Sequence, residues 1–126
     1  YGSYQSQSGK NITTGKYSIR EISSNTIRKA QWRASHLRTF RHDLFLNINN
    51  DDLKDENNCY YSSAWDLALM FPMLEMAAFR QEYISDPLYF YNDMNPICDH
   101  NVRREEQKKY DDQIRNKSTY NAIILP

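Results

Sequence analysis

Asp66 is the acid best placed for chemistry in this chain. It stands near the start of the longest apolar run, S-S-A-W-D-L-A-L-M-F-P-M-L-E-M-A-A-F from Ser62 to Phe79. A carboxylate in the first turn of a helix faces the positive end of the helix dipole and free backbone donors. Ionised, it is an available general base for a hydroxyl. It is equally the acid of an S-x-x-acid capping box begun by Ser63, and the residues leave both readings open. The only other ionisable group in the run before Arg80 is Glu75. Nine residues of helix turn through about 900° and rise roughly 13 Å, which puts the two acids on opposite sides. They do not form a carboxylate pair, so the chemistry rests on Asp66 alone. Trp65, beside it, either stacks on a sugar face or fills the core.

A second group of candidates precedes this run. Ala34–Phe40 (A-S-H-L-R-T-F) alternates as a strand would, which sets His36, Arg38 and Phe40 on one face. Arg28, Lys29, Arg33, Arg38 and Arg41 make a basic block without an acid, followed by Asp43, Asp51, Asp52, Asp55 and Glu56 against Lys54 alone. The block reads as a phosphate-contacting surface, a nucleic-acid surface or a solvated face. Nucleic acid is disfavoured, because Trp32 and Phe40 are isolated aromatics and the net charge is zero, with 16 basic and 16 acidic residues. His36, His42 and His100 are not at i, i+4 spacing, so no local metal site is declared. No G-x-G-x-x-G, Walker loop or D-x-D occurs.

The elements that must position these groups are an all-round apolar helix and its covering. Because the Ser62–Phe79 run is apolar on every side, it must be enclosed by other elements, and Pro72 is expected to bend it. Residues 1–16 hold all three glycines and read as an extended segment running into a loop, either a lid or a loose end. Tyr17–Ile22 reads as a short edge strand. Ser23 or Ser24 offers an N-cap for a brief helix through Ile27–Lys29, and Arg41–Ile48 reads as a short amphipathic helix. The run from Glu82 to Asn92 is strand-like with Pro87 interrupting it. From about His100 to Lys117 a charged helix shows a thin stripe of Val102, Tyr110 and Ile114, and Ser118–Pro126 reads as a final strand.

At 126 residues the chain holds one domain with a core and is too short for two. Apolar residues at 40% and charged residues at 25% are globular proportions, while the mean hydropathy of -0.86 requires much surface and loop. Cys59 and Cys98 are too few for a disulfide framework or a zinc site and read as reduced thiols of a cytoplasmic protein. No window reaches the ~18 apolar residues of a membrane span, and no secretion signal is visible. The two Asn-x-Ser/Thr sequons at Asn11 and Asn116 therefore read as chance matches. The start at Tyr1 without Met suggests a piece of a longer protein.

Three blocks, S-H-L-R-T-F at 35–40, A-W-D-L-A-L-M-F-P-M-L-E-M-A at 64–77 and P-L-Y-F-Y-N-D-M-N-P-I-C-D-H at 87–100, together with Y-G-S-Y at the start, resemble the carboxy-terminal half of a family 2 glycosyltransferase over residues 1–104. The resemblance implies an α/β class, mixed α+β in this fragment. It would be the second half of a GT-A fold, a long buried helix packed on a mixed sheet. The chain then divides into a loop and edge strand (1–22), an acceptor-side core (23–99) and a carboxy-terminal helix and tail (100–126) of a single partial domain. The implied activity is inverting transfer of a sugar from a nucleotide-diphosphate donor to an acceptor hydroxyl, with Asp66 as general base. Trp65 would border the acceptor pocket, His36 and Arg38 would lie near acceptor or sugar phosphates, and His100 would ligate a divalent metal, Mn or Mg. The family's D-x-D is absent, so the chain alone is expected to bind no cofactor of its own and to be inactive. The implied partners are a nucleotide-diphosphate sugar, a carbohydrate or other hydroxyl acceptor, and a missing amino-terminal half or partner subunit, with no nucleic acid and no membrane span. A noncatalytic carbohydrate-binding or interaction domain on the same scaffold is the alternative.

Overall fold

The central apolar run forms helix α3, Trp65–Ala77, in the computed structural model, which describes residues 1–97 and 102–124; it is the third of four α-helices among the described residues. Ten of its thirteen residues are buried, as an all-round apolar helix requires. Pro72 is fully buried inside it, and the helix runs on across that position. Its main neighbours are the short helix α2 (His42–Leu46), the carboxy-terminal helix α4 (Arg104–Asn116) and two 3₁₀ turns, Ile27–Lys29 and Asn50–Leu53. The anticipated packing of a long helix upon the sheet is thus replaced mainly by a sleeve of helices and turns.

The sheet is small and mixed. Strand β1 (Tyr4–Ser6) lies at its centre, antiparallel to β2 (Asn11–Ile12) with Tyr4 opposite Ile12, and parallel to β3 (Phe90–Tyr91) with Gln5 opposite Phe90. The β1–β2 turn contains Gly9 at φ 85°, a left-handed conformation that suits glycine. The first sixteen residues are therefore partly built into the sheet rather than hanging loose over a site. Tyr1 joins the core, and its hydroxyl accepts from the Tyr17 backbone N–H at 3.1 Å.

Several local expectations change. Residues 19–23 form helix α1, Ile19–Ser23, and not an edge strand. Ser18 and Glu21 there make a reciprocal capping box, at 2.6 Å and 3.2 Å, that outweighs the weak alternation. The box anticipated at Ser63 and Asp66 does not form. The cap position is Ala64, in a left-handed conformation at φ 55° with no side-chain capping bond, and the Ser63 hydroxyl is buried without a partner among the described residues. Residues 34–40 form no strand, and neither does the tail up to residue 124. Ile123 instead donates to the Met76 carbonyl at the end of α3, at 3.0 Å.

The basic block is dismantled by the fold. Arg28 is 2% exposed, and its Nε and Nη2 donate to the two carboxylate oxygens of buried Glu75 at 2.7 and 3.1 Å, with Nη1 on the Ile114 carbonyl at 2.8 Å. Arg33 lies over the Tyr17 ring and near Glu21, and Arg41 pairs with Asp43. A continuous phosphate or nucleic-acid surface is thus not what these residues build. Glu75, correctly separated from Asp66, serves as the counter-ion of the core. No helix of the described residues is long and apolar enough to cross a membrane.

Candidate functional site

Asp66 is the second residue of α3, and its side chain is held by Arg38. The Arg38 Nη2 donates to Asp66 Oδ2 at 2.7 Å, while its Nε donates to the Ala34 carbonyl at 2.7 Å. That second bond anchors the guanidinium to its own loop, so Arg38 orients the carboxylate instead of following it. The indole of Trp32 backs the guanidinium, 5.8 Å from ring centroid to Cζ, and packs edge-on against Phe71 at 5.2 Å. Among the described residues nothing hydrogen-bonds Asp66 Oδ1, and the side chain remains 23% exposed. One oxygen is therefore fixed by a cation, and the other has no hydrogen-bond partner among the described residues.

The carboxylate looks into an open groove of about 640 Å³ between the start of α3 and helix α4. Trp32, Ala64 and Leu67 line one side, and Arg104, Glu105, Gln107, Lys108 and Asp111 the other. The volume falls in the ~300–1,000 Å³ range of small-molecule sites. Helix α4 is seated beside it by Tyr110, whose ring meets Tyr61 edge-on at 5.1 Å, and by Glu106, which accepts from the Ser62 hydroxyl at 2.9 Å. A second cavity, about 400 Å³ and lined largely by Leu44, Met70, Met73 and Leu74, lies elsewhere and contains no residue anticipated for the site.

Of the anticipated residues, Asp66 and Arg38 come together, Asp66 alone of the two lining the groove, and Trp65 and His36 do not line it. Trp65 is 54% exposed at the first position of α3, and the aromatic lining the groove is Trp32. His36 lies flat against Tyr89 and Tyr91 at 4.6 and 5.3 Å, with Tyr4 meeting it edge-on. Burial in this tyrosine cluster lowers its pKa from the ordinary histidine value, the Arg38 charge lowers it further, and the Asp66 charge opposes both. His36 is thus a packed ring that senses the Arg38–Asp66 pair. His100 lies outside the described residues. Among the described residues no three His, Cys, Asp or Glu side chains converge on a metal position.

Trp32 and the α4 face were missed. Trp32 looks isolated in sequence because its neighbours in space, Phe71 and Arg38, are distant or disguised by an apparent strand. The α4 face was visible in principle: Arg104, Gln107, Lys108 and Asp111 follow i, i+3, i+4, i+7 spacing, but nothing local says what that face meets. The chain matches no protein-family model, no curated protein and no solved structure.

Proposed function

We propose that this chain is the acceptor-side half of an inverting glycosyltransferase of GT-A type, with Asp66 as general base. The observation that carries the proposal is Asp66 on the wall of an open groove, its carboxylate held by Arg38 at 2.7 Å. An acceptor hydroxyl in the groove donates its proton to Asp66 Oδ1 as its oxygen attacks the anomeric carbon. The new carbon–oxygen bond forms as the bond to the diphosphate breaks, and the electron pair leaves with the nucleoside diphosphate. Arg38, tied to Ala34, keeps the carboxylate from turning away. Trp32 supplies a planar apolar wall of the kind on which a sugar ring rests. The donor half, with its D-x-D, would come from a longer protein or a partner subunit.

Asp66→Asn keeps the shape of the side chain and an oxygen for Arg38. In the complete protein carrying this chain it is expected to lower transfer from a labelled nucleotide-diphosphate sugar by about 10²–10⁴-fold, the usual contribution of a positioned base, with donor binding unchanged. Transfer near the wild-type rate would remove Asp66 from the base role. The second reading, a noncatalytic carbohydrate-binding domain, draws on the same ion pair, which is also a sound structural clamp. It predicts that saccharides bind the groove while the complete protein transfers nothing.

A further inference from the structure

We infer that the acceptor taken by this groove is an anionic saccharide, one bearing a carboxylate or another acidic substituent, read by Arg104 and Lys108. The inference rests on the glycosyltransferase reading above for its ligand class and on the α4 wall for its charge. Helix α4 is fixed in rotation by its inner face, where Ile114 is 1% exposed and Tyr110 meets Tyr61. That rotation turns the face of Arg104, Gln107, Lys108 and Asp111 to the groove.

Among the described residues the charges there do not cancel. Asp66 is paired with Arg38, and Asp111 with Arg115 within its own helix. Neither Arg104 nor Lys108 has an ion-pair partner among the described residues, and Glu105 is the one unpaired acid among the lining residues. Among the described residues, once Asp66 and Asp111 are set against Arg38 and Arg115, the lining leaves two cations, Arg104 and Lys108, against the single carboxylate of Glu105. The two cations are one turn apart, roughly 6 Å along the axis, and sit across the groove from the Trp32 indole. A sugar ring against Trp32 would present a substituent to that wall. A neutral hydroxyl can accept a hydrogen bond from either cation but leaves both charges uncompensated, whereas a carboxylate accepts from both and neutralises charge as well.

Calorimetric titration of the chain with a tetrasaccharide of uronic acids, and with the neutral tetrasaccharide of the same linkage, tests this. The acidic ligand is expected to bind about tenfold more tightly at low salt, the gain of one or two charge-assisted bonds, with the preference shrinking as ionic strength screens it. The double variant Arg104→Gln, Lys108→Gln should bring the acidic ligand down to the neutral one's affinity and leave the neutral one unchanged. Both side chains are exposed, so the fold does not depend on them, and Lys108→Arg should keep the preference. Equal affinities, no binding of the acidic ligand, or a preference that survives in the double variant would overturn the inference. So would binding of uridine diphosphate in place of the acidic saccharide with loss in the double variant, since the cations would then serve the donor. None of these outcomes bears on Asp66, whose role is decided by transfer in Asp66→Asn.

Discussion

Glu75→Gln removes the charge that neutralises Arg28 in the core. Arg28 and Glu75 have side chains 2% and 0% exposed, so solvent screens the pair very little. Glu75 accepts from Arg28 Nε and Nη2 and from the Tyr120 backbone N–H at 3.0 Å. Glutamine keeps one oxygen for one of these donors but leaves a guanidinium uncompensated. Breaking a buried pair from one side costs about 3–5 kcal/mol, against a total stability of roughly 5–15 kcal/mol for a domain. We expect a loss of about 3 kcal/mol, read as a fall in the urea midpoint at unchanged slope, followed by tryptophan fluorescence. Arg28→Met combined with Glu75→Leu should recover part of the loss, because an apolar pair removes the stranded charge. It should stay below wild type, because the Ile114 carbonyl and the Tyr120 N–H lose their partners, at about 1–3 kcal/mol each. A Glu75→Gln loss under about 1 kcal/mol, the size expected of an exposed pair, would refute the placement of this ion pair in a dry core.

Two further outcomes follow from local geometry. The His36 pKa is lowered in the fold, chiefly by burial. The unfolded chain therefore binds the extra proton first, and the stability contributed by neutral His36 is present above the ordinary histidine pKa and lost as pH falls through the lower folded one. His36→Gln should flatten the pH dependence of the melting temperature in the window just below the ordinary histidine value, and an unaltered slope would show that His36 does not titrate in this environment. Ala78 caps α3 at φ 51°, ψ -121°, a conformation that costs a residue with a Cβ of order 1–3 kcal/mol. Ala78→Gly is expected to raise stability by about 1 kcal/mol in the same urea assay, and destabilisation would mean that the methyl group packs better than the backbone is strained.

The parts of the fold legible in the sequence were those set by long periodic signals. The α3 run is apolar at every turn, the α2 segment places Leu44 inward, and of the anticipated stripe Tyr110 and Ile114 pack on the core while Val102, which precedes α4, is exposed. Short alternations misled. Residues 17–22 and 34–40 alternate over too few positions to compete with a capping box in one case and with side-chain anchoring in the other, where Arg38 bonds Ala34 and His36 enters a tyrosine cluster. Of the candidate site, Asp66 and Arg38 were named from the sequence and meet at 2.7 Å. Trp65 stands apart, since the first position of α3 directs it to solvent.

By itself the sequence determined that one enclosed helix organises the chain, that Asp66 stands at its start, and that Glu75 faces the other way. These follow from hydrophobic continuity and helical pitch, which act over a few residues at a time. Only the tertiary structure decided which cations the acids meet. Arg28 lies 47 residues from Glu75, and Arg38 lies 28 from Asp66. No local pattern distinguishes an arginine destined for a buried pair from one on a solvated face. Burial makes that choice, because a charge leaves water only where a partner and a full set of hydrogen bonds await it.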